Sequence, residues 1–490
     1  MEIIESARPL YAIMVSLVSI FPITLSGERN SNLRDGWTVL ASVVKFSIVI
    51  SMLPAVLGGK TIEYTLVTIL PGLAVKFRVD SLAVLFAMTA SGLWVLTSFY
   101  SIGYMRTLEE RSQTRFFTYL ALAMAATMGL AFSANMFTLF LFYEMITLST
   151  YPLIAHKKTP EAIFGARKYL IYLLGASIAF QLFAIFLTYN IAGTLEFTAG
   201  GILAGKGSAL LLTVIFVLFL AGIAKAAMMP LHGWLPGAMV APTPASALLH
   251  AVAVVQAGVF AVVRVVYFIF GADLLRELGI NTPAAYFASF TIIMASLIAL
   301  TKDNLKLRLA YSTVSQLSYT IVGALLLTPS SQTGGIFHIV SHAFSKITLF
   351  FCAGSIYVSS HRENIGELGG IGRKMPWTMF AFFVGSLSMI GIPPFSGFVS
   401  KWYLSVGSVE AENIPILVVF LLSSILNAAY FLPIVYKAFF EEPAYPPLYP
   451  DEEIREVPLV VIPLVLSAIG TFVIGLWPGL FIQLAKGVTG

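Results

Sequence analysis

A single cysteine, Cys352, stands in 490 residues, so the chain can close no intrachain disulfide and offers no thiolate cluster for iron–sulfur or zinc. Charge is also scarce: Asp, Glu, Lys and Arg make up 11% of the residues, against about 25% in a soluble domain. The longest polar stretch, Glu441–Glu456, is too short to bury a core of its own, which excludes a soluble domain of useful size. Gly59-Lys60-Thr61 resembles the end of a phosphate loop, but Pro54 occupies the position of its first glycine. Gly369–Gly372 is a turn without the further glycine and strand of a dinucleotide site. No cofactor is therefore expected, and any electron transfer must belong to a partner. The N-terminus lacks a basic flank and a small-residue cleavage site, so Leu10–Leu25 is expected to remain as a first span.

What the chain has in quantity is hydrocarbon: 58% of residues are hydrophobic, and the mean hydropathy is +0.89. Apolar runs of about 20 residues recur along the whole length, which suits membrane helices and excludes the roughly 10-residue alternating strands of a barrel. They predict an all-α, polytopic membrane protein of about 14 helices. Their spans are 7–25, 37–57, 80–104, 115–133, 135–155, 163–190, 209–229, 244–269, 284–301, 305–328, 333–358, 376–408, 413–440 and 457–484. Lys and Arg divide roughly 16 to 5 between odd- and even-numbered loops. This predicts odd loops in the cytoplasm of a prokaryotic cell and both termini outside. The net charge of +5 then reflects membrane topology, and no nucleic-acid partner is expected.

Two helices are interrupted. The seventh is expected to run to Met229 and meet Pro230, Gly233, Pro236 and Gly237; the twelfth is cut by Pro393, Pro394 and Gly397. Breaks at membrane depth are tolerated where they line a cavity or pack against protein. They lie five helices apart, and an odd offset flips orientation, as an inverted repeat would. The expected division is 1–110 (helices 1–3), 111–270 (first repeat), 281–441 (second repeat) and 455–490 (helix 14) within one transmembrane domain.

Against this apolar background seven ionisable residues stand at bilayer depth: Glu144, Lys225, His250, His338, His342, Lys346 and Lys401. Each costs roughly 2.5–3.5 kcal/mol there even on lenient scales, so together they point to a path for charge. Glu144 needs a cation, and Lys225 is the expected partner; at ~4 Å and an effective dielectric near 20 such a pair is worth about 4 kcal/mol. A static ion pair fixing helix packing is the plainer alternative. His250 follows Pro242-Thr-Pro-Ala-Ser-Ala-Leu-Leu, just past the first break, and an imidazole suits relay work as well as core packing. His338, His342 and Lys346, spaced i, i+4, i+8, form one stripe bordered by Ser341 and Ser345. Two histidines at i, i+4 can bind zinc, but neither a following Glu nor a third ligand is evident, so no metal is expected. Lys401 follows the second break and either snorkels to an interface or marks an end of the path. Lys306 and Arg308 read equally well as solvated loop charges.

Several stretches carry a resemblance. Ala224-Lys-Ala-Ala-Met-Met-Pro-Leu-His-Gly-Trp-Leu-Pro-Gly-Ala-Met239 with Pro244-Ala-Ser-Ala-Leu-Leu-His250, Asp303–Tyr319, His338–Lys346 and Gly391-Ile-Pro-Pro-Phe-Ser-Gly-Phe-Val-Ser-Lys401 are similar to motifs of the antiporter-like family. That family holds the proton-pumping subunits of respiratory complex I, large subunits of Mrp-type cation/proton antiporters, and relatives in membrane-bound hydrogenases; the likeness spans about residues 80–440. It implies inverted five-helix repeats and a central hydrated axis. It also implies roles: Glu144 with Lys225 as a first-half pair, His250 as linker, Lys346 as central group and Lys401 as terminal one. Gly237 stands where many relatives carry Asp. An end near residue 490, without a long lateral helix, resembles the shorter of the large Mrp antiporter subunits or its hydrogenase counterpart. The expectation is a proton-translocating subunit, with Na⁺/H⁺ antiport left open, working with other membrane subunits in the lipid bilayer. A stand-alone transporter of a small solute, a non-conducting scaffold and a subunit of an ion-translocating oxidoreductase remain as other readings.

Overall fold

The computed structural model describes residues 2–70, 72–442 and 454–488; most of the polar stretch Glu441–Glu456 lies outside them. Ten helices are long and apolar enough to cross a membrane. They are α1 (Arg8–Ser26), α2 (Ser31–Leu57), α3 (Ser81–Thr107), α5 (Met136–Ile154), α6 (Pro160–Ala192), α8 (Thr243–Phe270), α9 (Asn281–Leu300), α11 (Pro329–Ser360), α13 (Ile414–Phe440) and α14 (Pro458–Leu476). Two more, α4 (Gln113–Ala131) and α10 (Leu305–Leu325), are continuous but more polar. Two are broken: α7 (Ala209–Gly222, resuming at Trp234–Gly237) and α12 (Pro376–Ile390 and Ser396–Glu410). Fourteen segments result, as the apolar runs predict, and a short helix, Gly479–Lys486, follows α14.

Side-chain caps fix several starts. Asn30, Asp80, Asn135, Thr159, Ser208, Asn304, Thr328 and Asn413 each accept a backbone N–H three residues on, satisfying donors that the helix leaves free. Burial grades the helices by position. Thr243–Phe270 is wholly enclosed by protein and Pro329–Ser360 nearly so. By contrast α13 shows Val418, Leu421, Leu422 and Ile425 outward. Where α8 and α11 meet protein and not lipid, polar side chains can be accommodated.

The structure adds what hydropathy passed over. Residues between α2 and α3, read as loop, form a hairpin of β2 (Thr61–Leu70) and β3 (Leu73–Val79), and β1 (Ile3–Glu5) pairs parallel with β2. The alternation and β-branched residues of Thr61–Leu70 were the available signal. Register pairs Glu63 with Arg78 and buries Ile62 and Phe77 on the face that carries both termini. A further interruption also appears: α8 breaks at Val252–Ala253, where Ala253 N–H reaches back to Leu248 O, and ends in a π turn at Val265–Phe270.

That π turn starts beside Arg264, which is fully buried among Phe197, Phe260 and Phe268 and forks onto Asp80 at 2.6 and 2.9 Å. Burial pushes the Asp80 carboxyl up, but the Arg264 charge and hydrogen bonds, the Ala83 amide and Arg78 bring it below its ordinary value. A carboxyl held low stabilises the fold above the unfolded value of about 3.9 and loses that contribution as pH falls through the folded value. Asp80→Ala should cost about 3–5 kcal/mol, because it strands a buried guanidinium. A thermal-unfolding midpoint equal to wild type in detergent would show that the fork contributes nothing to stability.

Candidate functional site

Around α7 the backbone itself builds the site. The helix stops at Gly222, earlier than the expected Met229, and Ala224–Ala226 forms a 3-10 turn closed by Ala227 at φ +54°. The cause lies downstream: Pro230 cannot donate to the Ala226 carbonyl, so unwinding extends back past the lysine. Trp234 Nε1 caps the freed Ala224 carbonyl at 3.0 Å. Gly258 of α8 lets this segment come close; a Cβ there would fall 2.2 Å from Ala226 N and 2.4 Å from Lys225 C. Lys225 is therefore fully buried on irregular backbone and not within a helix.

The expected ion pair is not closed. Lys225 Nζ donates to the Tyr143 carbonyl and lies 3.2 Å from the Tyr143 ring centroid, while its own N–H donates to the Tyr143 hydroxyl at 3.1 Å. Both Glu144 carboxyl oxygens are buried without a hydrogen-bond partner, so Lys225 does not reach them. The correction has a simple cause: the preceding residue's carbonyl and ring hold the ammonium first.

His250 ends the first part of α8, two residues before its break, stacked on Phe350 of α11 at 5.3 Å with both ring nitrogens unpartnered. The stripe on α11 continues from there. His342 Nδ1 meets the Gln256 amide at 2.9 Å; His338 Nδ1 meets Ser400 Oγ at 2.9 Å and stacks on Tyr319 at 5.3 Å. The two imidazoles are 6.0 Å apart. Among the described residues no group of three His, Cys, Asp or Glu side chains gathers as a metal site would require. Ser341 and Ser345, which border the stripe, reach Ser396 and Ser388 of α12 at 3.1 and 2.7 Å.

Lys346 Nζ donates to Ser312 Oγ of α10 at 2.9 Å. Lys401 turns inward, not to an interface: its Nζ donates to the Met389 and Ile390 carbonyls at 2.8 and 3.0 Å and to Ser424 Oγ at 3.1 Å. Those carbonyls are orphaned by the Pro393–Pro394 break, so the lysine caps the half-helix that proline cuts. The structure thus gathers His338, His342, Lys346 and Lys401 at the α10–α11–α12–α13 contact, with His250 against α11. Lys225 and Glu144 sit beyond it, on α7 and α5.

Sequence reasoning missed Tyr143, Gln256, Ser312, Asn427 and Tyr430. Gln256 was visible as an amide inside an apolar run, and Asn427 and Tyr430 share a face of α13 at i, i+3. Their partners were not visible. Beside the titratable groups, the amide of Gln316, Gln256 Oε1 and His342 Nε2 are buried without partners. Buried polar atoms of this kind are usually satisfied by internal water.

Comparison with known proteins follows from this geometry. Residues 133–427 match the family described as NADH:quinone oxidoreductase/Mrp antiporter, transmembrane. Residues 72–117 match NADH-ubiquinone oxidoreductase (complex I), chain 5 N-terminus. The chain is 35% identical over 352 residues to the chloroplastic NAD(P)H-quinone oxidoreductase subunit 5 of Chara vulgaris, covering 67% of this chain and 50% of that one. It thus spans about half the length of that relative. In fold it is similar to a chain of the Mrp complex from Dietzia sp. DQ12-45-1b, with TM-score 0.88 at 22% identity, covering 99% of this chain and 96% of that chain. It is also similar to a chain of the membrane-bound sulfane sulfur reductase, an archaeal respiratory membrane complex, with TM-score 0.87 at 24% identity and coverage of 99% and 97%.

Proposed function

Because the chain belongs to the NADH:quinone oxidoreductase/Mrp antiporter transmembrane family, we propose that it is a proton-translocating subunit of a multi-subunit complex in a prokaryotic plasma membrane. The observation that carries this is the row of buried acid–base groups from Glu144 through Lys225, His250, His342, His338 and Lys346 to Lys401. Each is placed by a helix end, a break or a neighbouring polar side chain. Interior charge on this scale is retained where it moves.

The seven groups divide by role. Glu144 is the sensor of a neighbouring subunit, free in the observed arrangement. Lys225 closes onto Glu144 in one state and rests on the Tyr143 carbonyl in the other, and opening of the pair drives its proton toward His250. His250, His342 and His338 carry it along α11 through water, Lys346 is the central store and Lys401 the terminal one. Helices α4–α8 and α9–α13 act as two inverted halves, each with a broken helix that gates its lysine and prevents leak. Odd loops face the cytoplasm and both termini lie outside. Na⁺ is the second cation if the complex exchanges ions, and electrons, where they drive it, stay in partner subunits.

The decisive assay reconstitutes the complex, isolated through a tag on this chain, into liposomes with an internal pH-sensitive dye. Lys346→Met should cut coupled proton movement at least tenfold, since it removes one obligatory acid–base group. Coupling at the wild-type rate in a fully assembled Lys346→Met complex would overturn the assignment.

A further inference from the structure

The two lysines of the second half are joined by a bridge of protein groups that the seven-residue path does not include. Ser312 Oγ of α10 accepts from Lys346 Nζ at 2.9 Å and from the Tyr430 hydroxyl at 3.0 Å. The same hydroxyl also donates to Asn427 Oδ1. Asn427 Nδ2 donates to the Met389 carbonyl at 3.1 Å, and Lys401 Nζ donates to that carbonyl at 2.8 Å. Ser312, Asn427 and Tyr430 are all fully buried.

We infer that Tyr430 and Asn427 of α13 are positioning residues that couple the charge on Lys346 to the charge on Lys401 without passing a proton between them. The inference rests on the proton-translocating role proposed above. Its reasoning is a count of donors and acceptors. A carbonyl that accepts from both Asn427 and Lys401 has no proton to forward, so the bridge cannot act as a wire. It can carry orientation. The Tyr430 hydroxyl has one hydrogen and two acceptors, Ser312 Oγ and Asn427 Oδ1.

When Lys346 is an ammonium it donates to Ser312. The tyrosine hydrogen then belongs on Asn427, and Ser312 can turn its own O–H to the tyrosine oxygen. Polarised in that sense, each bond strengthens the next. The Asn427 amide is thereby held with its N–H on Met389, where it competes with Lys401 for one oxygen. When Lys346 is a neutral amine its lone pair accepts the Ser312 O–H, and the tyrosine hydrogen returns to Ser312. Asn427 Oδ1 is then released, and its hold on the Met389 carbonyl slackens in favour of Lys401. Loss of the proton at the centre therefore tightens the seat for a charged terminal lysine, so the two tend to be charged in turn.

Other charged or titratable groups face the bridge from every packed element. His342 and His338 lie on α11 and His250 on α8, all within electrostatic reach of Lys346. From α10, Arg308 donates to the Tyr430 carbonyl at 3.1 Å, and the Tyr319 ring lies 5.1 Å from Lys401 Nζ. None of them spans the gap between the two lysines as Tyr430 and Asn427 do.

The test uses the reconstituted complex and the pH profile of dye-reported proton movement for Tyr430→Phe and Asn427→Leu. Tyr430→Phe keeps the ring against Phe431 at 4.6 Å, and co-purification of partner subunits confirms assembly. The hydroxyl helps hold Lys346 charged, so its loss should move the alkaline limb about one unit lower and slow coupling roughly tenfold at the wild-type optimum. Asn427→Leu should shift the profile likewise. Lys401→Met is run alongside. If it abolishes coupling while both bridge variants keep the wild-type profile, the bridge is overturned and the translocation role stands. If Lys401→Met itself couples normally, the translocation role fails first.

Discussion

Lys225→Ala abolishes coupled proton movement in the assembled complex, and Lys225→Arg fails to restore it. The alanine result is expected because the side chain is fully buried on unwound backbone and holds its ammonium on the Tyr143 carbonyl. The arginine result carries the argument. A guanidinium keeps the positive charge and can still donate to the Tyr143 carbonyl, so packing and electrostatics survive in outline. What it cannot do is release a proton at any pH a cell reaches, since its pKa lies above about 12. A static ion pair with Glu144 would be satisfied by either cation. Arginine should therefore retain assembly and lose at least about 99% of coupling, a factor typical of a missing acid–base group. Near-normal coupling in the arginine variant would mean that Lys225 is a structural charge and that the proton travels elsewhere.

Much of this was legible in the sequence, for a physical reason. An apolar run that spans a membrane is constrained along its whole length, so helix number survives translation from pattern to fold, and a lone ionisable residue stands out within it. The pairings were harder. Glu144 and Lys225 are complementary on paper, yet Tyr143 intercepts the lysine, and no spacing rule ranks a backbone carbonyl against a carboxylate 81 positions away. The end of α7 was misjudged because proline acts backward, on the carbonyl four residues before it. The hairpin Thr61–Val79 was lost between two loud hydropathy signals. Tyr430 and Asn427 lie on a helix whose other face meets lipid, so composition alone gave no reason to single them out.

A second large effect needs no change to any ionisable group. Gly258→Ala adds one methyl to α8 at a point where the nearest atoms are Ala226 N at 2.2 Å, Lys225 C at 2.4 Å and Ala226 Cα at 2.8 Å. All three are backbone, so no flexible side chain can yield; the unwound segment must move or α8 must retreat. Overpacking of this kind costs about 1–3 kcal/mol. Because α8 is enclosed by protein on every side, the mobile partner is the segment that bears Lys225. A shift of the order of 1 Å there can cost about a hundredfold in a step that depends on alignment. The expected result is an assembled complex, somewhat less stable, in which coupling falls about a hundredfold although Glu144, Lys225 and His250 all remain. Gly175→Ala on α6, where nothing lies within 4 Å, serves as the control and should couple normally. The second half repeats the device, since a Cβ on Gly475 of α14 would fall 2.1 Å from Pro394 O in the break of α12. Gly475→Ala should then impair coupling through Lys401 as Gly258→Ala does through Lys225. If both variants pump like wild type, the breaks tolerate displacement, and gating by their exact seating on a neighbouring helix is excluded.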